Sequence, residues 1–227
     1  MRRTLLSWSS GKDSAFALEV LRADPSIDVV GLVTSVNVTH GRVAMHGIRR
    51  ELLTLQAAAV GLPLYEIALD HPCSNEDYEA AFDRTLAPYV EGGVEALAFG
   101  DLFLEDVRAY RERQCRALGV EALFPLFGRS THDVAREIIE RGIRATLAVV
   151  DSRQCPRQFL GRSFDATLLR ELPPGVDPCG ERGEFHTFVR DSPSFRGPLP
   201  IHHGERVERD GFLFLDLSPV GAPPLTG

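Results

Sequence analysis

The chain has 227 residues, of which 44% are hydrophobic and 25% are charged, a composition typical of a globular protein with its own core. The net charge of −7 disfavours a broad nucleic-acid surface, and the apolar runs are shorter than the ~20 residues of a membrane span. Four widely spaced cysteines without a C-x-x-C pair predict reduced thiols in a cytoplasmic protein, not a disulfide framework or a zinc site.

Strands and helices alternate along the first two thirds of the sequence. Apolar runs predict strands at 4–8, 28–35, 64–69, 96–99, 122–126 and 145–150, and helical patterns between them predict helices near 15–21, 48–60, 74–89, 105–118 and 130–141. This order predicts β-α-β units, and therefore an α/β fold with a doubly wound parallel sheet of the Rossmann or HUP type.

The alternation stops near residue 150. The stretch 151–200 is rich in Pro, Gly and Arg, a short helix is predicted near 165–172, and 206–216 predicts a hairpin that turns at Asp210-Gly211. We therefore expect an α/β domain at 1–150 and a smaller C-terminal region at 151–227.

The loop Ser9-Ser10-Gly11-Lys12-Asp13-Ser14 joins the first strand to the first helix. Ligands of open parallel sheets bind at the carboxyl ends of the strands, and a helix N-terminus offers N–H groups and partial positive charge to a phosphate. Lys12 is the only lysine among the 25 lysines and arginines of the chain. These features predict a phosphate-binding loop, although a serine-rich helix cap without a ligand would show the same hydroxyls.

Two common nucleotide motifs do not match this loop. A Walker A loop needs glycine at the position of Leu6 and serine or threonine at the position of Asp13, and the G-x-G-x-x-G fingerprint is absent. A second group of polar residues lies in 177–189, where two glycines flank Glu181-Arg182, and Glu184, His186 and Thr187 follow. Alone, this segment is typical of a turn that leads into an edge strand.

Both segments resemble one family. The loop at 9–14 is similar to the S-G-G-x-D-S loop of the N-type ATP pyrophosphatases, with Ser10 in place of the first glycine. Residues 177–189 resemble the P-C-G-E-x-G-E-[FY]-x-T signature of the diphthine–ammonia ligase-like members. Further similar stretches follow in the family's order and extend over nearly the whole chain: Met45-His46-Gly47, Gly100-Asp101-Leu102-Phe103, Arg108 to Glu112, Pro125 to Gly128, and Leu160-Gly161-Arg162.

The resemblance implies an enzyme that cleaves ATP between the α and β phosphates, with an ATP-binding PP-loop domain at 1–150 and a substrate-binding region at 151–227. It implies an amide ligase that adenylates a carboxylate of a small molecule or a protein, releases pyrophosphate and then transfers ammonia or an amine. Lys12 and Asp13 are the expected catalytic residues, and Asp13 is the expected Mg²⁺ ligand. The expected ATP-binding residues are Ser9, Ser10, Gly11, Lys12, Asp13, Ser14, His46, Gly100 and Asp101; for Asp101, a helix-capping role is an equal alternative.

The substrate side is expected to use Glu105, Arg108, Glu181, Glu184, His186 and Thr187. Arg108 suits a bidentate pair with a carboxylate, although Glu105 and Arg108 also have the spacing of an i,i+3 ion pair. Cys179 is expected to be a packed small residue, and His202-His203 is too short a group for a metal site.

Two other functions share this loop type or this sheet. A tRNA-modifying enzyme is disfavoured by the acidic charge and the unpaired cysteines, and a non-catalytic nucleotide-binding module leaves Lys12, Asp13 and the 177–189 segment unexplained. We expect no membrane partner, and a homodimer is left open. The arginine-rich, lysine-poor composition is typical of bacteria, which lack diphthamide, so the acceptor and the nitrogen donor are left open as well.

Overall fold

The computed structural model describes residues 1–39, 42–43, 47–70 and 72–221. Its first part contains β1 (Arg2–Ser7), α1 (Lys12–Ala23), β2 (Ile27–Asn37), β3 (Arg42–Val43), α2 (Arg50–Val60), β4 (Leu64–Leu69), α3 (Asn75–Glu91), β5 (Ala96–Ala98), α4 (Glu105–Leu118) and β6 (Glu121–Leu123). Its second part contains α5 (Thr131–Glu140), β7 (Arg144–Asp151), a 3-10 helix (Arg157–Phe159), α6 (Ala166–Glu171), β8 (Phe185–Asp191), β9 (Ile201–Arg209) and β10 (Phe212–Pro219).

Five strands form a parallel sheet in the order β4-β2-β1-β5-β6, and the two-residue β3 adds antiparallel to the end of β2. Leu5 and Leu6 of β1 belong to two different core clusters because successive side chains of a strand point to opposite faces. Leu6 packs in the cluster that includes α1 and α2, whereas Leu5 packs in the cluster that includes α3 and α4. The predicted doubly wound α/β fold is confirmed.

The second sheet is antiparallel, in the order β8-β7-β10-β9. The prediction that the strand at 145–150 continues the parallel sheet is wrong, because β7 pairs antiparallel with both β8 and β10. All of its residues from Ala145 to Asp151 are buried, because both faces of this central strand are covered. Its sequence therefore shows the continuous apolar run that is also typical of a buried parallel strand. The predicted hairpin is confirmed, with Asp210 and Gly211 at φ 51° and 83°. The division of the chain near residue 150 stays a prediction.

The two sheets meet where β8 lies against the loop that follows β1. The N–H of Val189 donates to the carbonyl of Ser10 over 2.9 Å. The fully buried Gln56 of α2 donates to the carbonyls of Ser10 (3.1 Å) and Val189 (2.6 Å), and it accepts from the indole N–H of Trp8 (2.9 Å). One side chain therefore joins the end of β1, the loop and β8. None of the helices in the described ranges is long and apolar enough to cross a membrane.

We expect Gln56→Leu to lower the free energy of unfolding by about 2–4 kcal/mol, because it leaves buried polar groups of Trp8 and Val189 without a partner. Chemical denaturation measures this loss, and Thr54→Ala on the exposed side of the same helix is the control, with an expected change within about 0.5 kcal/mol. A loss below about 1 kcal/mol for Gln56→Leu would show that this junction does not hold the two sheets together.

Candidate active site

The loop at 9–14 has a strained backbone at one residue. Ser10 has φ 69°, in the left-handed region that costs a non-glycine residue about 1–2 kcal/mol. A Cβ on Gly11 would lie 3.2 Å from the carbonyl oxygen of Thr187, so the loop touches β8 at that point. Within the loop, the Ser14 hydroxyl donates to the Gly11 carbonyl over 2.9 Å, and the Gly11 N–H donates to the Ser9 hydroxyl over 3.3 Å.

Two buried oxygens of this loop have no hydrogen-bond partner among the described residues: Oγ of Ser10 and Oδ1 of Asp13. Buried polar atoms normally have a hydrogen-bond partner. Two such atoms without a partner at the start of a helix therefore mark a place where a ligand can bind. Because α1 begins at Lys12, the N–H groups of Asp13 and Ser14 lie in its first turn and have no acceptor within the helix. Such N–H groups favour an anion.

Lys12 is buried, with a side-chain exposure of 2%. Its Nζ donates to Oδ2 of Asp13 over 2.9 Å and to the carbonyl of Cys179, and it lies 5.4 Å from the ring centres of Phe164 and Phe185. Burial by itself lowers the pKa of Lys12, but the Asp13 carboxylate and further negative groups outweigh it and raise that pKa. The ammonium is therefore a fixed positive charge between the loop and the turn that contains Cys179.

The end of β5 packs directly on the start of α1. A Cβ on Gly100 would lie 3.1 Å from the carbonyl carbon of Asp13 and 3.2 Å from the backbone nitrogen of Ser14, so a side chain at this position would displace the loop. Asp101 follows, and its pKa is raised mainly by burial, with a further contribution from the charge of Asp13. Asp101 does not cap α4, whose N-cap is Leu104.

Glu184 holds the turn at 177–183 in place. It is 1% exposed, and its two carboxylate oxygens accept from the N–H groups of Asp177 and Arg182, both over 2.9 Å. Cys179 is also buried, its thiol donates to the carbonyl of Thr131, and burial raises its pKa. This agrees with the expectation that Cys179 is a packed small residue.

Glu181 brings a third carboxylate towards Asp13 and Asp101. Its Oε1 accepts from the N–H of Leu102 over 2.7 Å. Its pKa is raised to about 7. Burial is the main cause, the charges of Asp13 and Asp101 contribute to the rise, and the Leu102 hydrogen bond opposes it. A carboxyl group with this pKa can accept or give a proton at neutral pH.

His186 and Thr187 lie on β8 beside Lys12. The backbone N–H of Lys12 donates to Oγ1 of Thr187 over 3.0 Å. Burial, helped by the Lys12 charge, lowers the pKa of His186 to about 4, so the imidazole is neutral at physiological pH. The structure thus brings Glu181, His186 and Thr187 next to the loop at 9–14.

The candidates on α4 have other contacts. Arg108 pairs with Glu112 over 2.8 Å and lies 4.6 Å from the ring centre of Phe127. Its ion pair is therefore i,i+4, and not the i,i+3 pair with Glu105 that was the alternative to a substrate-binding role. Glu105 is exposed at the first residue of the helix. His46, the remaining predicted ATP ligand, lies outside the described residues.

Gln56 was not found by sequence reasoning. Its signal was present, because it is the polar residue on the buried side of α2 among Leu52, Leu53, Ala57 and Val60. A buried glutamine needs partners, but the sequence does not show which ones.

Asp13 and Asp101 carry the oxygen ligands that Mg²⁺ prefers, and Oδ1 of Asp13 is unpaired. Across the described ranges, no group of three or more ligating side chains lies close enough to hold a metal ion by itself. The two carboxylates fit a cation that is also bound by phosphate oxygens, as Mg²⁺ is in many nucleotide enzymes.

Two family models match the chain in succession. The Diphthamide synthase N-terminal domain matches residues 1–122, and the Diphthamide synthase C-terminal domain matches residues 130–217. The chain belongs to the diphthamide synthase family. The predicted family membership is thereby confirmed.

Several curated proteins with similar sequences are named diphthine–ammonia ligase. Diphthine–ammonia ligase from Homo sapiens is 28% identical, with 88% of this chain and 82% of that protein covered, and the protein of that name from Danio rerio is 28% identical, with 94% and 90% covered. The prediction that the chain is an enzyme of the ligase class is confirmed by these relatives. A predicted subunit of tRNA methyltransferase from Methanocaldococcus jannaschii has a similar structure at 17% identity and a TM-score of 0.44, with 83% of this chain and 96% of that chain covered.

In this diphthamide synthase family member, the raised pKa of Glu181 makes stability depend on pH. The folded pKa of about 7 lies above the ordinary value of 4.5, so the unfolded chain ionises first, and the folded state loses stability as the pH rises from 4.5 to 7. We expect Glu181→Gln, which cannot ionise, to be about 2–3 kcal/mol more stable than the natural protein at pH 8, and the difference to shrink to below about 1 kcal/mol at pH 5, where the loss has only begun.

Chemical denaturation at the two pH values measures this difference. Glu205→Gln on the exposed strand β9 is the control and should show no pH-dependent difference. Equal stability of Glu181→Gln and the natural protein at pH 8 would contradict the raised pKa.

Proposed function

We propose that this protein is an ATP-dependent ligase that adenylates a carboxylate, releases pyrophosphate and then joins ammonia or an amine to the activated carbon. The main support is the position of the loop at 9–14, whose unpaired donors and oxygens face a turn that carries a carboxyl group with a pKa of about 7. The proposed phosphate site and the proposed proton-transfer group therefore lie side by side. The names of the curated relatives support the ammonia ligase class.

In the proposed first step, the ATP phosphates bind at the N-terminus of α1. The loop hydroxyls and the N–H groups of Asp13 and Ser14 contact the phosphate oxygens, and Lys12 supplies positive charge from behind the loop. The acceptor carboxylate oxygen attacks the α-phosphorus, the bond to the β-phosphate breaks, and pyrophosphate leaves. Lys12 and Asp13 are the proposed catalytic residues of this step.

Mg²⁺ is part of the proposal. Asp13 and Asp101 would hold it together with phosphate oxygens, and it would supply charge neutralisation during pyrophosphate release. His46 is a further proposed ATP ligand that follows from the resemblance alone.

In the proposed second step, ammonia attacks the carbonyl carbon of the acyl adenylate, and the bond from that carbon to the AMP oxygen breaks. The nitrogen loses a proton in this step. Glu181 is the proposed acceptor of that proton, because a base works best when its pKa lies near the working pH. His186 is neutral and next to Lys12, which suits a hydrogen bond to the acceptor.

Other proposed roles follow from the contacts. Thr187 and Glu184 position the substrate side, since Thr187 contacts the Lys12 N–H and Glu184 holds the turn at 177–183. Glu105 and Arg108 remain proposed acceptor contacts, on the resemblance alone. A tRNA-modifying enzyme and a non-catalytic nucleotide-binding module gain no support from the described contacts, while a cytoplasmic location and a homodimer stay predictions.

We expect turnover to yield AMP and pyrophosphate, and we expect Asp13→Asn to slow AMP formation at least ~100-fold, because it removes charge at the phosphate site and the Lys12 counter-ion. Phosphorus NMR follows the products when the protein is given ATP, MgCl₂, ammonium chloride and a deproteinised small-molecule extract. Asp24→Asn, at the C-terminal end of α1, is the control. ADP and phosphate as the products, or full activity of Asp13→Asn, would contradict the proposal.

A further inference from the structure

Buried side-chain atoms without a hydrogen-bond partner lie in two places in the described chain. One is the loop, with Ser10 and Asp13, and the other is α4, with Nε of Arg111 and both amide atoms of Gln114. Arg111 and Gln114 are one turn apart and therefore share a face of the helix. An unpaired buried guanidinium nitrogen is costly, so a ligand that pairs with it would gain binding energy.

Arg111 lines a cavity of about 50 Å³ at the carboxyl ends of the parallel strands. Ser7 of β1 and Ser35 of β2 contribute to its wall at the sheet edge, and Tyr78 of α3 contributes beside Arg111. Apart from Thr34, the remaining wall is apolar and consists of Val33, Ile67, Phe82, Leu86, Leu97 and Phe99. At roughly 10–15 Å³ per water, this space holds about four non-hydrogen atoms, the size of acetate and far below that of a nucleoside.

The polar wall of this cavity suits a carboxylate. Nη1 of Arg111 donates to the hydroxyl of Tyr78 over 3.0 Å, and the guanidinium lies 5.1 Å from the ring centre of Phe99. These two contacts fix a planar fork of N–H donors, which matches the two oxygens of a carboxylate. No carboxylate of the described residues forms an ion pair with Arg111 within 4.0 Å, although the charge of Asp101 acts on it.

The cavity lies next to the proposed phosphate site. Ser7 is two residues before Ser9, and Gly100, which follows the cavity-lining Phe99, packs on the backbone of Asp13. A short acceptor could therefore reach from the cavity to the loop. The space is too small to hold both a carboxylate and a phosphoryl group, so a carboxylate inside it cannot be the one that reacts with ATP.

We propose that this cavity binds a second, non-reacting carboxylate of the acceptor, held by Arg111 and oriented by Tyr78. This role of the carboxylate rests on the proposed function above. A second carboxylate would define the substrate class as small acids with two carboxylate groups, such as dicarboxylates or acidic amino acids. The unpaired Nε and the aromatic stacking of Arg111 are the features that select an anion over a neutral group.

Acetate is the probe for this cavity, because it matches the cavity in size and needs no ATP. Thermal unfolding is recorded with increasing sodium acetate at constant ionic strength, with sodium chloride as the balancing salt, and again with the neutral isostere acetamide. We expect saturating acetate to raise the Tm of the natural protein by about 2–4 °C and acetamide to leave it unchanged.

Arg111→Met should abolish the acetate shift. Tyr78→Phe, which keeps the ring and removes only the hydroxyl, should weaken acetate binding about 5–10-fold and provides the test if Arg111→Met does not fold. Arg116→Met, at an exposed position of the same helix, should keep the full shift.

The proposal is overturned if acetate gives no shift in the natural protein, if acetamide gives the same shift, or if the acetate shift survives in Arg111→Met. If Arg111→Met does not fold, an unchanged acetate affinity in Tyr78→Phe overturns it. These outcomes concern binding without nucleotide. A failure here therefore leaves the release of AMP and pyrophosphate to be judged by its own measurement.

Discussion

The contact between the edge of β8 and the loop after β1 is the interaction on which the rest of the structure depends. β8 is the outer strand of its sheet, and an outer strand presents unpaired N–H and C=O groups. Here two of those groups have partners outside the sheet. The Val189 N–H donates to the Ser10 carbonyl, and the Gln56 side chain donates to the carbonyls of both Ser10 and Val189. The same hydrogen bonds attach the second sheet to the first and hold Ser10 in a left-handed conformation.

This contact determines the electrostatics of the candidate site. Because β8 and the turn before it cover the loop, Lys12 is buried under Cys179 and two aromatic rings, and its charge acts over a short range in a poorly solvated place. The same cover raises the pKa of Glu181 and lowers that of His186. A cluster of groups with such shifted pKa values is typical of a catalytic site.

Much of the fold could be predicted from the sequence, because helix caps and apolar runs are local signals. Ser74 and Ser130 cap α3 and α5 through the N–H groups of Asp77 and Asp133, and the two helices begin within one residue of the predicted positions 74 and 130. The sheet to which β7 belongs could not be predicted, since a run buried on both faces does not reveal its partner strands. Pairing is a tertiary property, and the apolar pattern specifies only burial.

The sequence predicted which segments form the candidate site but not how they contact each other. The loop at 9–14 and the segment at 177–189 were found from their residue types, but their hydrogen bonds to each other join residues about 175 positions apart and have no local signal. For the same reason the sequence could not show that Glu184 is buried against backbone N–H groups, which partners Gln56 has, or that Arg111 lines a cavity. The sequence shows that Ser10 stands where the similar loops have a glycine, but the positive φ of Ser10 became apparent only in the structure.

A crystal structure of the protein with Mg²⁺ and α,β-methylene-ATP, which cannot be cleaved between the α and β phosphates, tests the central claim most directly. That claim is that the β8-covered loop is the nucleotide site. The phosphate oxygens should lie within hydrogen-bond distance of the N–H groups of Asp13 and Ser14, with the α-phosphate on the side of Glu181 and His186. Nucleotide phosphates bound away from residues 9–14, or an α-phosphate separated from Glu181 by the sheet, would contradict it.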